Sequence, residues 1–136
     1  MSNNKTAKEL TNCEKLIMKV VWEAKGDIST PDTIEQLKVR FGKEYARTTV
    51  VTFVQRLVEK GYVTTYRRGR VSYIRPVQSE EEYRNRMLQD TMNFWFDGDC
   101  TKMISALCSD SNLDAEEVEK IRQIIANFFV QFLYKF

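Results

Sequence analysis

The chain has 136 residues, 43% of them hydrophobic, with 21 Lys+Arg against 19 Asp+Glu and no His, enough for one domain or two small ones. The absence of His excludes His-dependent catalytic triads, the commonest zinc ligand and the usual physiological proton shuttle. The net charge of +2 hides a segregation: residues 1–77 hold 15 Lys+Arg and 8 Asp+Glu, whereas residues 78–136 hold 6 and 11. Residues 38–75 carry ten cations against two anions, Glu44 and Glu59, and a single-sign field that dense suits a polyanion partner.

The first predicted element is a helix over about residues 12–25, opened by Thr11-Asn12-Cys13-Glu14 in the form of a capping box. Its apolar set, Cys13, Ile17, Val20, Val21 and Ala24, recurs at three- and four-residue steps, and Gly26-Asp27 ends it where a left-handed residue is easiest. Ser29-Thr30-Pro31-Asp32 opens a second helix with a hydroxyl cap, Pro in the first turn and an acid placed against the dipole. That helix is expected to bury Ile34, Leu37 and Phe41 and to end near Gly42.

A third helix over about residues 45–60 has faces of different chemistry. Val50, Phe53, Val54 and Leu57 form a core face, and Thr48, Thr52, Gln55 and Glu59 lie opposite, flanked by Val51 and Arg56. A surface chosen only for helix stability would carry Glu, Lys, Gln or Ala rather than Thr and Val. Small hydroxyls, an amide and a methyl-bearing side chain suit the floor of a DNA major groove, where they reach base edges or a thymine methyl. Gly61 then stops the helix, and residues 62–66 and 71–75 predict two short strands rich in β-branched and aromatic residues. Between them Arg67-Arg68-Gly69-Arg70 makes a hairpin tip suited to phosphates, and Pro76 closes the second strand.

The remainder is acidic and helical. Ser79-Glu80-Glu81-Glu82 opens a helix with an apolar stripe of Tyr83, Met87, Leu88, Thr91, Phe94 and Trp95. As a helix-opening turn the three acids need no metal. Asp97-Gly98-Asp99 breaks that helix, and a shorter one with Met103, Ile104 and Leu107 leads to a polar loop, Ser109-Asp110-Ser111-Asn112. Asp114-Ala115-Glu116-Glu117 caps a last helix. It has a narrow polar stripe of Glu119, Gln123, Asn127, Gln131 and Lys135, and is otherwise apolar through Ile121, Ile124, Ile125, Phe128, Phe129, Val130, Phe132, Leu133, Tyr134 and Phe136. A tail this short cannot cover that much apolar surface alone, so a second chain is expected. The expected dimerisation residues are Tyr83, Met87, Phe94, Trp95, Ile104, Leu107, Ile121, Ile125, Phe128 and Phe132. Phe94-Trp95-Phe96 reads as core or interface rather than the lining of a ligand cavity.

Cys13, Cys100 and Cys108 form neither a disulfide framework nor a four-thiolate zinc site, and a reducing cytoplasm is the expected location, with the thiols buried; the alternative is a redox switch in which Cys100 and Cys108, eight residues apart around one short helix, meet partners across a dimer. Met1-Ser2-Asn3-Asn4-Lys5 lacks the apolar core of a signal peptide, and the apolar residues 124–136 are too few and too interrupted to span a bilayer. No nucleophile-base pair and no phosphate-cradling Gly loop is visible, so no catalytic residue, cofactor or metal is assigned and the chain is not read as an enzyme.

The expected fold is mainly α with a small β-hairpin: a winged helix-turn-helix DNA-binding domain over residues 1–77, followed by a helical dimerisation region over residues 78–136. The alternative is a winged helix that docks an acidic protein partner. The segments Leu10-Thr11-Asn12-Cys13-Glu14, Val20-Val21-Trp22, Arg47-Thr48-Thr49-Val50 and Arg56-Leu57-Val58-Glu59-Lys60-Gly61-Tyr62-Val63, with Tyr73, resemble the BlaI/MecI/CopY family of penicillinase-type repressors, over residues 10–125 or so. The resemblance implies a repressor that binds double-stranded DNA as a homodimer at an inverted repeat near a promoter, with interlocked C-terminal helices. It implies base contacts from Thr48, Thr49 and Thr52, backbone contacts from Arg47 and Arg56, and wing contacts from Arg68 and Arg70. The residue chemistry alone adds Val51, Gln55 and Arg67.

Departures from the family pattern fall at both ends of its mechanism. Ala46-Arg47 stands where relatives often start the recognition helix with a Ser-Pro-type pair, so the order of bases read is expected to differ. Antibiotic-responsive members resemble one another in an Asn-Phe cleavage bond, acted on by a sensor or protease partner, where this chain has Cys108-Ser109-Asp110. Asn93-Phe94 and Asn127-Phe128 occur, but within predicted helices. The Cys-rich tail of copper-responsive members has no counterpart after Cys108.

Overall fold

The structure, a computed structural model, describes residues 9–110 and 112–135. The polar start at residues 1–5, Ser111 of the expected loop and Phe136 of the last helix lie outside the described residues. The chain divides into two compact units, Met1–Arg86 and Met87–Phe136.

In the first unit, helix α1 (Asn12–Glu23) begins with the expected capping box. The Thr11 hydroxyl accepts from the Glu14 N–H at 3.3 Å, and Glu14 Oε1 accepts from the Thr11 N–H at 2.9 Å. Its buried face is Glu14, Ile17, Met18, Val20 and Val21, while Cys13 is half-buried and Ala24 exposed. The left-handed residue after the helix is Lys25, at φ 56°, one position before the glycine expected to take it. Helix α2 (Thr30–Phe41) is capped by Ser29, whose hydroxyl accepts from the Asp32 N–H at 3.1 Å, and Gly42 at φ 66° ends it. Leu37 is buried, while Ile34 and Phe41 are half-buried against the same core.

Helix α3 (Arg47–Glu59) buries Val50, Val54 and Leu57, with Phe53 half-buried beside them. Ala46 supplies no side-chain cap to its first turn. Gly61, at φ 85°, turns the chain so that the Tyr62 N–H returns to the Leu57 carbonyl at 2.9 Å and its ring enters the core. Strands β2 (Val63–Arg68) and β3 (Val71–Pro76) form the hairpin, and β1 (Ile28–Ser29) pairs with β3 to give an antiparallel sheet of order β1-β3-β2.

Three details differ from the sequence reading. The strand β1 is added, because two residues carry no periodic signal of their own. Arg67 and Arg68 belong to β2, pairing with Ser72 and Val71, so the turn itself is Gly69-Arg70. Pro76 is the last residue of β3, opposite Val63, and the ladder resumes beyond it where the Val77 N–H donates to the Tyr62 carbonyl at 2.9 Å.

The Glu14 carboxylate is fully buried and joins α1 to the end of α3. Lys60, the C-cap of α3, donates to Glu14 Oε1 at 2.5 Å and to the Glu9 carbonyl at 2.9 Å. Burial pushes the Glu14 carboxyl up, but the Lys60 hydrogen bond, the Thr11 N–H and the Lys60 charge outweigh it and hold the group below its ordinary 4.5.

Helix α4 (Glu80–Trp95) starts with a second capping box between Ser79 and Glu82. Its first turns pack within the first unit. The Tyr83 ring lies 5.6 Å from that of Trp22 and 5.8 Å from that of Tyr62, Lys19 pairs with Glu80 at 2.5 Å, and the Trp22 indole N–H donates to the Gln78 carbonyl at 2.9 Å. In the second unit, Asp99 caps helix α5 (Cys100–Asp110) and Asp114 caps helix α6 (Ala115–Lys135). Helix α5 runs on through Ser109, whose hydroxyl donates to the Ser105 carbonyl at 2.8 Å, so the expected polar loop is shorter than its composition suggested. Asn93-Phe94 lies in α4 and Asn127-Phe128 in α6.

Replacing Lys60 by Ala is expected to cost about 3 kcal/mol of stability in urea unfolding, because Glu14 is left charged, buried and unpaired. Glu14→Gln is expected to be less stable than wild type above pH 4.5, with the gap shrinking as pH falls through the lowered folded pKa of Glu14. A gap independent of pH contradicts this assignment.

Candidate nucleic-acid interface

The ten cations of residues 38–75 divide once the fold is in place. Lys38 meets Glu44 at 4.0 Å, Arg40 meets Glu23, Lys60 meets Glu14 at 2.5 Å, and Arg75 meets Asp27 at 2.9 Å. The other six, Lys43, Arg47, Arg56, Arg67, Arg68 and Arg70, have no carboxylate within ion-pair distance among the described residues. Five of these six are expected DNA contacts from the sequence, and the structure adds Lys43, in the loop before α3. Within residues 38–75 the unmatched cations therefore lie at the start of α3, on α3 and on the wing, elements that pack against each other.

The outward surface of α3 consists of Arg47, Thr48, Val51, Thr52, Gln55, Arg56 and Glu59, all exposed, with Thr49 half-buried. Val51 is 44% exposed, a placement that forgoes much of the gain from burial and leaves methyl surface available for contact. The Thr52 hydroxyl donates to the Thr48 carbonyl at 2.9 Å. Its proton is committed to the helix, so toward a ligand this residue offers an acceptor lone pair and a methyl group. Arg56 lies over the Phe53 ring at 5.7 Å, and Phe53 meets Tyr45 edge-on at 6.0 Å, so the arginine stem rests on packed aromatic surface.

In the wing, strand alternation places Arg67 and Arg68 on opposite faces. Arg67 Nη2 donates to the Arg70 carbonyl at 3.1 Å and closes the turn. Arg68 sits over the Tyr73 ring at 5.2 Å. A cleft of about 500 Å³ in the same unit is lined by Glu23, Asp27, Asp32 and Glu35 together with Arg40 and Tyr73. Glu23 and Asp27 there are the ion-pair partners of Arg40 and Arg75, and Tyr73 brings the cleft to the root of the wing.

The residues expected at a dimer interface fall into two groups. Tyr83 is taken up by Trp22 and Tyr62 inside the first unit. Met87, Phe94, Trp95, Ile104, Leu107, Ile125, Phe128 and Phe132 are exposed in the second unit, and Ile121 is half-buried. Phe94 and Trp95 are 74% and 72% exposed, so these two are not core in the single chain, while Phe96 is half-buried. Cys100 and Cys108, expected as buried thiols, are exposed on α5, and Cys13 is half-buried with its Sγ 3.3 Å from the Tyr45 hydroxyl. Among the described residues no three His, Cys, Asp or Glu side chains are grouped to hold a metal ion, and no helix is long and apolar enough to cross a membrane.

The family model described as Penicillinase repressor matches residues 10–127. The chain belongs to the penicillinase repressor family. Its similarity to the penicillinase repressor of Bacillus licheniformis is 25% identity over 117 residues, covering 86% of this chain and 89% of the relative. The penicillinase repressor of Staphylococcus aureus is 20% identical over 117 residues, covering 86% and 90%. Among solved structures, RosR of H. salinarum matches with a TM-score of 0.52 at 18% identity, covering 92% of this chain and 98% of that one, a likeness of fold. In this repressor-family chain the matched region includes Leu10, Glu14, α3, Lys60 and the wing, and stops at Asn127, before the aromatic end of α6.

Proposed function

We propose that this member of the penicillinase repressor family represses transcription by binding double-stranded DNA as a homodimer at an inverted repeat. The observation that carries the reading is the set of carboxylate-free cations, which brackets the exposed Thr48, Val51, Thr52 and Gln55 surface. A major groove about 12 Å wide admits a helix such as α3, provided the leading side chains are short. Thr48 and Thr52 with Val51 then meet base edges and thymine methyls, Gln55 offers a donor and an acceptor to adenine, and Thr49 lies at the edge of the contact. Arg47 and Arg56 at the groove margins and Arg67, Arg68 and Arg70 on the wing neutralise phosphates and fix the register.

Dimerisation follows from the second unit. Phe94, Trp95, Leu107, Ile125 and Phe128 are each at least half exposed in the single chain, and α6 has no buried residue among those described. Apolar surface of this extent is covered most economically by the same surface of a second copy, and a two-fold axis between the copies requires two half-sites in inverted orientation. A cytoplasmic protein with this division of labour needs no cofactor to hold DNA.

Duplexes selected from a random-sequence pool supply the probe. Affinity of the dimer for the selected duplex is expected to fall steeply with salt, and Arg68→Ala with Arg70→Ala, which removes two arginines from each protomer, to reduce the slope of log affinity against log salt by about 4. Salt-insensitive affinity, or an unchanged slope, rejects the reading. Ile125→Asp combined with Phe128→Asp is expected to convert the dimer to monomer in sedimentation while circular dichroism of the first unit persists, and to weaken binding to the full repeat far more than to a single half-site. A dimer that survives both substitutions places the interface elsewhere.

A further inference from the structure

One face of the wing carries a continuous stack that the DNA contacts alone do not require. The antiparallel register sets Tyr66 opposite Tyr73, Arg68 opposite Val71 and Thr64 opposite Arg75, so these six share a face. The opposite face, with Val63 and Ile74 buried, belongs to the core. On the outer face the Tyr66 and Tyr73 rings are stacked with centroids 5.5 Å apart and planes within 14°. Arg68 covers the outer side of the pair, 5.2 Å from the Tyr73 centroid, and Arg75 lies 4.9 Å from the Tyr66 centroid. The stack ends on Asp27, in the loop between α1 and β1, which accepts from the Tyr66 hydroxyl at 2.5 Å and from Arg75 Nε and Nη2 at 3.2 and 2.9 Å.

We propose that Tyr66 and Tyr73 are positioning residues for the wing, and that they hold the Arg68 guanidinium in place for a phosphate while Asp27 and Arg75 anchor the stack to the body of the domain. The inference rests on the DNA-binding reading above. An arginine on a free hairpin tip loses most of its rotamer freedom when it binds a phosphate, and a guanidinium already seated on an aromatic face loses less. The ring face also keeps the charge: cation–π contact leaves the guanidinium edges and their N–H donors open to an anion. Arg75 plays a different part from its neighbours in sequence, because its charge is matched by Asp27. The Arg75 and Tyr66 hydrogen bonds hold the Asp27 carboxyl below its ordinary range, with smaller help from the charges of Arg75 and Arg68, so the anchor stays ionised.

The test is a pair of double-mutant cycles on the full chain with the selected duplex, using substitutions that leave net charge unchanged at the positioning residues. Tyr73→Leu is expected to weaken binding of the dimer about ten- to twenty-fivefold, the size of two exposed cation–π contacts, one in each protomer, and Tyr66→Phe by a smaller factor. Both losses are expected to vanish when Arg68 is already Ala. A loss that persists in the Arg68→Ala background shows that the tyrosines act on the fold in general, and no loss in either background shows that the stack positions nothing; each overturns the proposal while wild-type binding leaves the DNA reading intact. A second readout needs no DNA. The side-chain protons of Arg68 in the free protein are expected to show an upfield ring-current shift that disappears in Tyr73→Leu, and an Arg68 with the same spectrum in both chains also overturns it.

Discussion

The placement of α3 depends on one buried ion pair. Glu14 is fully buried, and a carboxylate in that position is tolerated only if it is paired and hydrogen-bonded. Its partner, Lys60, is the C-cap of α3, where a cation also complements the helix dipole. The pair spans 46 residues and fastens the start of α1, already fixed by the Thr11 capping box, to the end of the helix that presents Thr48, Thr52 and Gln55. Leu57, Tyr62 and Val63 bury the surrounding chain, so the direction of α3 and the root of the wing are set by the same few contacts.

A second consequence of folding is the sorting of charge. In sequence the ten cations of residues 38–75 look alike. In the structure four of them meet carboxylates supplied by Glu14, Glu23, Asp27 and Glu44, three of which lie outside that stretch. These four have structural partners and contribute little net field. The remaining six lie on α3, its approach and the wing with no carboxylate at ion-pair distance, and their placement there tells more than the total of +2.

Much of this was legible in the sequence because the signals are local. Capping boxes at Thr11 and Ser79, the Pro and Ser of the α2 start, Gly42 and Gly61 as stops, and the β-branched strands each act within a few residues, and the structure has all of them. The winged-helix order and the exposed face of α3 follow from periodicity alone. What was not legible required tertiary neighbours. Glu14 reads as a capping residue, and nothing near it announces Lys60. Arg67 and Arg68 read as two members of one tip, but strand alternation separates them. Asp27 reads as part of a helix stop, yet it anchors Tyr66 and Arg75. Tyr83 fits the stripe of its own helix, but Trp22 and Tyr62 claim its ring.

The central claim is that α3, held by Glu14 and Lys60, reads base edges. The most direct measurement is the affinity of wild-type and Gln55→Ala chains for the selected duplex and for each of its single-base variants. The account predicts that Gln55→Ala removes about 1–3 kcal/mol of discrimination at one base position of each half-site and leaves the other positions unchanged. A uniform loss across all variants, or no loss at any, contradicts it.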